Sequence, residues 1–279
     1  MRRSLKFRPL LKACFSLFRI ETAESLQYRA AAIAGASIGI FWGLIEITVY
    51  TVFFLFADRN EAALSLPQVV SYCWLHQCLF GFFSMNIDSE ILAKINNGDV
   101  GVELCRPLDL YFHWFSKTAG KRIGRFWWRG IITAAVALLM PAGYRLGAPD
   151  SSWVPGFCLF LISIGAAFLL CTSFGMLITA IRMGITWGEG PANMLFLLSL
   201  VLSGAYLPLQ LWPDAWQGFL FFQPFAGNFD LPIRMYVGSL SPGGGAAAIG
   251  IQLTWTAVFI ASGRVIMKRK LRNIIVQGG

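Results

Sequence analysis

Residues 30–56 read AAAIAGASIGIFWGLIEITVYTVFFLF, with Glu46 as the only charge. At about 1.5 Å of rise per residue, a helix of this length exceeds a hydrocarbon core of about 30 Å. In lipid only a helix or a closed barrel satisfies its own backbone, and nothing in this stretch alternates with the period of a strand. The stretch therefore predicts a membrane-spanning helix. Comparable apolar runs follow at 69–85, 123–140, 155–181, 191–211 and 246–267. Together they predict an all-α membrane protein with six transmembrane helices.

Composition supports that class. Hydrophobic residues make up 56% and charged residues 13%, against about 25% charged in a soluble globular chain. Mean hydropathy is +0.62. Six spans of roughly 20 residues leave room for loops, tails and a surface helix, and none for a soluble catalytic domain. The chain carries 23 Lys and Arg against 14 acids. In a soluble protein such an excess suggests nucleic acid. Here it sits beside the spans and orients them, so no nucleic-acid partner is expected. Cys14, Cys73, Cys78, Cys105, Cys158 and Cys171 show no metal-like spacing, and only His76 and His113 add imidazole. No metal site is predicted. The basic start is too long for the n-region of a cleaved signal, so the first apolar run is expected to persist as a span.

Charge distribution gives topology. Basic residues crowd the 1–29 segment, the 94–122 loop and the C-terminal tail at Lys268, Arg269, Lys270 and Arg272. The loops at 57–66, 141–154 and 212–245 carry one arginine each. By the positive-inside rule both termini are cytoplasmic, which requires an even number of spans. Within 1–29, Phe7, Leu11, Phe15 and Phe18 recur at helical spacing among Arg2, Arg3, Lys6, Arg8, Lys12 and Arg19. That pattern predicts an amphipathic helix lying in the interface. The third span is the least apolar because it carries Arg125 and Arg129, both long enough to snorkel towards the interface beside Trp127 and Trp128. The 212–245 segment is rich in Phe but broken by Pro213, Pro224, Pro232 and Pro242, so it is expected to re-enter the membrane or lie in its interface rather than cross it.

Four groups of residues stand out as chemistry. Gly35, Gly39 and Gly43 form a small-xxx-small row, which serves either helix packing within the chain or a dimer seam. Glu46 lies on nearly the same face. A carboxylate at this depth either finds partners among His76, Gln77 and Asn193, or lines a translocation path with them. Ser203 and His76 lack the supporting constellation of a serine nucleophile. Neither Gly243–Gly245 nor Gly184-x-x-x-Gly188 belongs to a GxxxxGK[ST] phosphate loop, so the chain is not expected to hydrolyse nucleotide.

The 94–122 loop reads Ile95-Asn-Asn-Gly98-Asp99 and then Glu103-Leu104-Cys105-Arg106-Pro107-Leu108. This resembles the loop after the second span in ABC-2-type transporter permeases. The outer segment resembles the same family: Ser203-Gly204, Leu207-Pro208-Leu209, Trp212-Pro213, Trp216, Gln223-Pro224-Phe225, Pro232 and Tyr236-Val237-Gly238. The order of parts matches over essentially the whole chain. The resemblance implies one permease domain, residues 1–279, located in the cell (inner) membrane. It would be a transport subunit rather than an enzyme, with ATP and Mg²⁺ bound by a separate ATP-binding cassette subunit and no cofactor of its own. It also implies pairing with a second permease, identical or paralogous. Gly98, Asp99, Glu103, Arg106 and Pro107 would then form the ATPase-coupling element, and Phe221, Phe222 and Phe225 an outer lid. Export follows from the resemblance alone, and no cargo is selected. The rival reading is a proton-coupled secondary transporter that uses Glu46 and His76.

Overall fold

The computed structural model describes residues 7–56, 64–82, 88–105, 108–147, 153–183 and 190–272. Helices α1 to α11 cover Phe7–Gln27, Arg29–Phe56, Leu66–Leu79, Ser89–Asn96, Val100–Leu104, Leu110–Leu139, Trp153–Arg182, Gly190–Leu202, Asp214–Phe222, Asp230–Tyr236 and Pro242–Leu271 in chain order. Among the described residues there is no strand.

Three helices are long and apolar enough to cross a membrane: α2, α7 from Pro155 onward, and α11. These correspond to the first, fourth and sixth predicted spans. The other three runs are built differently. Helix α3 has 14 residues and begins in a Ser65 capping box, with Leu66 at its first position and Pro67 at its second. Helix α6 has 30 residues and begins at Leu110, well before the predicted 123–140 span. Its charged first half, with Lys117, Lys121 and Arg122, therefore continues without a break into Arg125 and Arg129. Helix α8 has 13 residues. The predicted 191–211 span stops at Leu202 because Gly204 takes a left-handed turn, φ 81°, which glycine adopts without a Cβ penalty.

The helices pack in two groups, α1, α2, α3 and α6 in one and α7, α10 and α11 in the other, which meet where α6 lies against α7 and α11 and where α3 lies against α10. Helices α7 and α11 run along one another, and Gln252 of α11 closes the seam: its Nε2 donates to the Ser163 carbonyl (3.3 Å) and the Gly227 carbonyl (2.7 Å), while Ser163 Oγ donates to its Oε1 (3.0 Å). Helix α1 lies against the first half of α6, where glycine lets the backbones meet. A Cβ on Gly120 would stand 2.6 Å from the Phe18 carbonyl oxygen, and one on Gly124 would collide with Ser25. This Gly120-x-x-x-Gly124 step is the close-approach motif of membrane helices, used here to seat the N-terminal helix. Trp128 Nε1 donates to the Leu26 carbonyl (3.1 Å), and Arg29 stacks on the same indole, fixing the corner between α1 and α2.

Candidate functional site

At the end where α1 meets α6, residues 89–104 form α4 and α5, so the expected 94–122 loop starts inside α4 and from Leu110 onward is the beginning of α6. Asp88 caps α4 by accepting from the Glu90 and Ile91 amides (3.0 and 3.4 Å), and Gly98, φ 77°, turns the chain into α5. The exposed face of this element comprises Asn96, Asn97, Gly98, Asp99, Val102 and Cys105. Val102 is 69% exposed. Glu103, expected as a docking contact, points the other way. It is buried and holds Lys94 at 2.5 Å and His113 of α6 at 3.1 Å. Its role is to anchor the loop to α6. Arg106 and Pro107 lie outside the described residues.

Around that anchor runs a chain of ion pairs. Lys94 also reaches Glu90 (3.1 Å), Lys117 joins Glu90 (2.5 Å) to Glu21 of α1 (3.5 Å), and Lys121 meets Asp88 (2.6 Å). The Lys117 hydrogen bond is the main reason the Glu90 carboxyl is held down at about 2; Lys94 adds to it, and partial burial opposes both. Burial works against the Lys94 ammonium, yet its bonds to Glu103 and Glu90 leave it above the usual lysine range. Burial pushes the Glu21 carboxyl up, against Lys117 and Lys121. Helices α1, α4, α5 and the start of α6 are thus tied into one ionic assembly. Asp109 extends it by capping α6 and accepting from Arg264 of α11 (3.1 Å).

At membrane depth the structure brings together three of the four residues assigned to a path. Glu46 Oε1 accepts from Gln77 Nε2 (3.1 Å), and its Oε2 stands 3.8 Å from His76 Nδ1. His76 is buried edge-on between Phe80 and Phe229, with centroids 5.6 and 4.9 Å away. Asn193 is apart, exposed near the start of α8. The glycine row is spent inside the chain: a Cβ at Gly43 would meet Gln77 and Trp74 at 3.3 Å, and one at Gly39 would meet Arg129 at 3.2 Å. Arg129 does not snorkel. Its guanidinium lies on the Phe80 ring, 4.9 Å from the centroid, beside Gly39.

The 212–245 segment is a folded cap rather than a loose lid. Phe221 and Phe225 pack on the main apolar core, and Phe225 meets Phe174 at 5.1 Å. Phe222 faces outward. The cap is held by a carboxylate that the sequence reading does not single out. Asp230 is 1% exposed, pairs with Arg234 (2.6 Å), and its Oδ1 accepts from the Leu209 amide (3.1 Å). The Tyr72 hydroxyl of α3 stands 2.9 Å from the Gly204 carbonyl and 3.2 Å from the same Oδ1, so its one proton serves two acceptors. A Cβ at Gly204 would collide with that hydroxyl. The available signal is Asp230 and Arg234 themselves, an acid and a base four residues apart in an apolar segment, where an isolated charge is not tolerated.

Long apolar helices, a basic N-terminal helix and a charged loop folded into short helices define a multi-pass membrane protein. The chain belongs to the ABC-2 family of transporter proteins, whose family model matches residues 40–278. The match spans both the α4–α5 element and the cap. No curated protein and no solved structure matches the chain. Membership makes it a membrane transport subunit of the permease type, a class that is generally not itself catalytic.

Proposed function

We propose that the chain is the permease of an ATP-driven exporter, working as a dimer with an identical or paralogous permease and driven through α4–α5 by a separate ATP-binding subunit. In this reading residues 1–279 form one domain with six membrane crossings. Helices α3, α6 and α8 complete the set begun by α2, α7 and α11, and both termini lie on the cytoplasmic side of the cell membrane. ATP and Mg²⁺ belong to the partner. The observation that carries the reading is the construction of α4–α5. It presents Asp99, Val102 and Cys105 outward and is fastened by buried Glu103 to Lys94 and His113. A push on the exposed face therefore reaches α6 directly, and through Lys117 and Glu21 it reaches α1. Arg106 and Pro107 extend the same element in sequence. Phe221, Phe222 and Phe225 belong to the cap that closes the outer end.

The test is gentle detergent extraction from native membranes with mass spectrometry of the subunits that stay bound. An ATP-binding subunit at one copy per permease is expected, and Val102→Asp should sharply reduce its recovery while leaving the permease monodisperse. Permease that always purifies without an ATPase, under conditions that preserve other complexes, overturns the reading.

The proton-coupled alternative has one observation in its favour, the approach of Glu46 to His76. Glu46 is already engaged by Gln77, which gives it a structural role. Glu46→Gln should therefore leave ATP-driven transport largely intact. Loss of transport that follows a proton gradient would restore the carrier.

A further inference from the structure

Among the described residues, Arg129 is a cation at membrane depth without an acidic partner. Its neighbour on α2, Gly39, lies ten residues past the start of that helix, about 15 Å by helical rise and hence near mid-membrane. No described carboxylate acts on the guanidinium, and its enclosed Nε has no hydrogen-bond partner among the described residues. Glu46, the acid of the facing helix, stands about two turns further along α2 and is bound to Gln77. The fold makes room for the arginine: Gly35 and Gly39 leave the space it fills, since a Cβ at either would stand 4.0 Å from Cδ or 3.2 Å from a terminal nitrogen. Phe80 supports the guanidinium from the other side. The side chain is half-buried, so it remains reachable.

Ionisable groups at this depth are rare, and those present face partners, water or a substrate route. Here the partner is missing while the cradle is built. We infer that Arg129 is the recognition residue for an oxyanion, a carboxylate or phosphate carried on an otherwise apolar molecule. The inference rests on reading the α2–α3–α6 face as part of the transport path, and it adds the chemical class of the cargo. Guanidinium suits this task because its planar fork pairs with two oxygens at once and stays charged throughout the accessible pH range. The apolar part of the molecule follows from the surroundings, where Phe80 lies against the guanidinium and Trp42, one turn past Gly39 on α2, is exposed. An ordinary phospholipid keeps its phosphate at the interface, away from this depth, which favours a transported molecule over a resident lipid.

The experiment uses the full-length permease in phosphatidylcholine nanodiscs, without its ATPase, and measures binding of spin-labelled stearic acid against its methyl ester by electron paramagnetic resonance. The wild type should hold the acid at least about tenfold more tightly than the ester, the scale of a charge-assisted hydrogen bond. Arg129→Lys should keep most of that preference and Arg129→Gln should abolish it. Parity between acid and ester in the wild type overturns the inference, and so does a preference that survives Arg129→Gln. The wild-type comparison stands even if the glutamine variant fails to fold. Repeating the measurement with phosphatidylglycerol in the disc separates sources: loss of the acid's preference would assign the oxyanion to resident lipid and remove the cargo assignment. Because binding is read on the permease alone, a missing ATPase would sink the exporter reading without touching this result.

Discussion

The two ends of this molecule use charge in opposite ways. In the cap Asp230 and Arg234 are 1% and 9% exposed, and Tyr72, Leu209 and Gln217 supply their further partners. At the α4–α5 end the Glu90 side chain is 47% exposed, and three lysines reach it. A buried pair with satisfied neighbours has one geometry, and breaking it strands a charge. A half-exposed carboxylate among three lysines has several near-equivalent pairings, each screened by water and salt. The cap is thereby fixed to α3, whereas at the α4–α5 end Glu90 can exchange partners among Lys94, Lys117 and Lys121 while buried Glu103 keeps its own. For a transporter worked from the inside, as proposed, that division puts compliance where the push arrives and rigidity where the outer end must stay sealed.

The comparison breaks most visibly at Asp230. Replacing it with alanine leaves Arg234 buried without a counter-charge and removes the acceptor of the Leu209 amide, at a cost of about 3–5 kcal/mol. The expected outcome is a large fall in thermal midpoint and in recovery of monodisperse protein. The Asp230→Ala/Arg234→Met double variant should recover much of the loss, because no lone charge remains. A single variant as stable as the wild type would mean that the cap is held by its apolar contacts alone.

A middle-sized effect is expected where the α4–α5 assembly meets close packing. Gly120→Ala places a methyl group 2.6 Å from the Phe18 carbonyl oxygen and 2.8 Å from Glu21 Cβ, and no flexible tip can yield there. Helix α1 must shift, at about 1–3 kcal/mol for overpacking. Trypsin should then cut sooner at Lys12 and Arg19 of α1 while α7 and α11 remain protected. Unchanged cleavage would place α1 in looser contact than the ion pairs of Glu21 imply.

How legible each end is follows from how far apart its partners stand in the chain. Residues 30–56, 155–181 and 246–267 become α2, α7 and α11 because an apolar run of that length has one solution in lipid. The family signature at Gly98-Asp99 points to α4–α5, where neighbours in sequence are neighbours in space. Glu103 misleads because burial is not written in local sequence: His113 and Lys94 turn it inward from either side. The Tyr72–Asp230 contact joins two residues on opposite halves of the chain, so nothing near Asp230 announces it. Arg129 resembles a snorkelling residue in sequence because its cradle is contributed by the glycines of α2, which look like packing alone.

The smallest effect tests the compliant end by pH. Glu90 has its carboxyl lowered to about 2 in the folded protein, first by the Lys117 hydrogen bond, from an ordinary value of 4.5. A depressed carboxyl contributes stability that is complete above the unfolded value and disappears as pH falls through the folded one. The contribution is therefore present at neutral pH and lost between about 4.5 and about 2. Because the group is half-exposed, its worth is discounted to about 1 kcal/mol or less. Glu21 works in the reverse sense: its raised carboxyl disfavours the folded form as pH climbs past 4.5. The two partly cancel in the wild type. Glu90→Gln should remove only the first, so that acidification below about 4.5 loosens α4 in the wild type but not in the variant, as followed by amide exchange of residues 89–96. Added salt should narrow the gap between the two proteins, since the same pairs are open to solvent. A pH response identical in both would show that the lysines hold α4 through Asp88 and Glu103, with Glu90 a bystander.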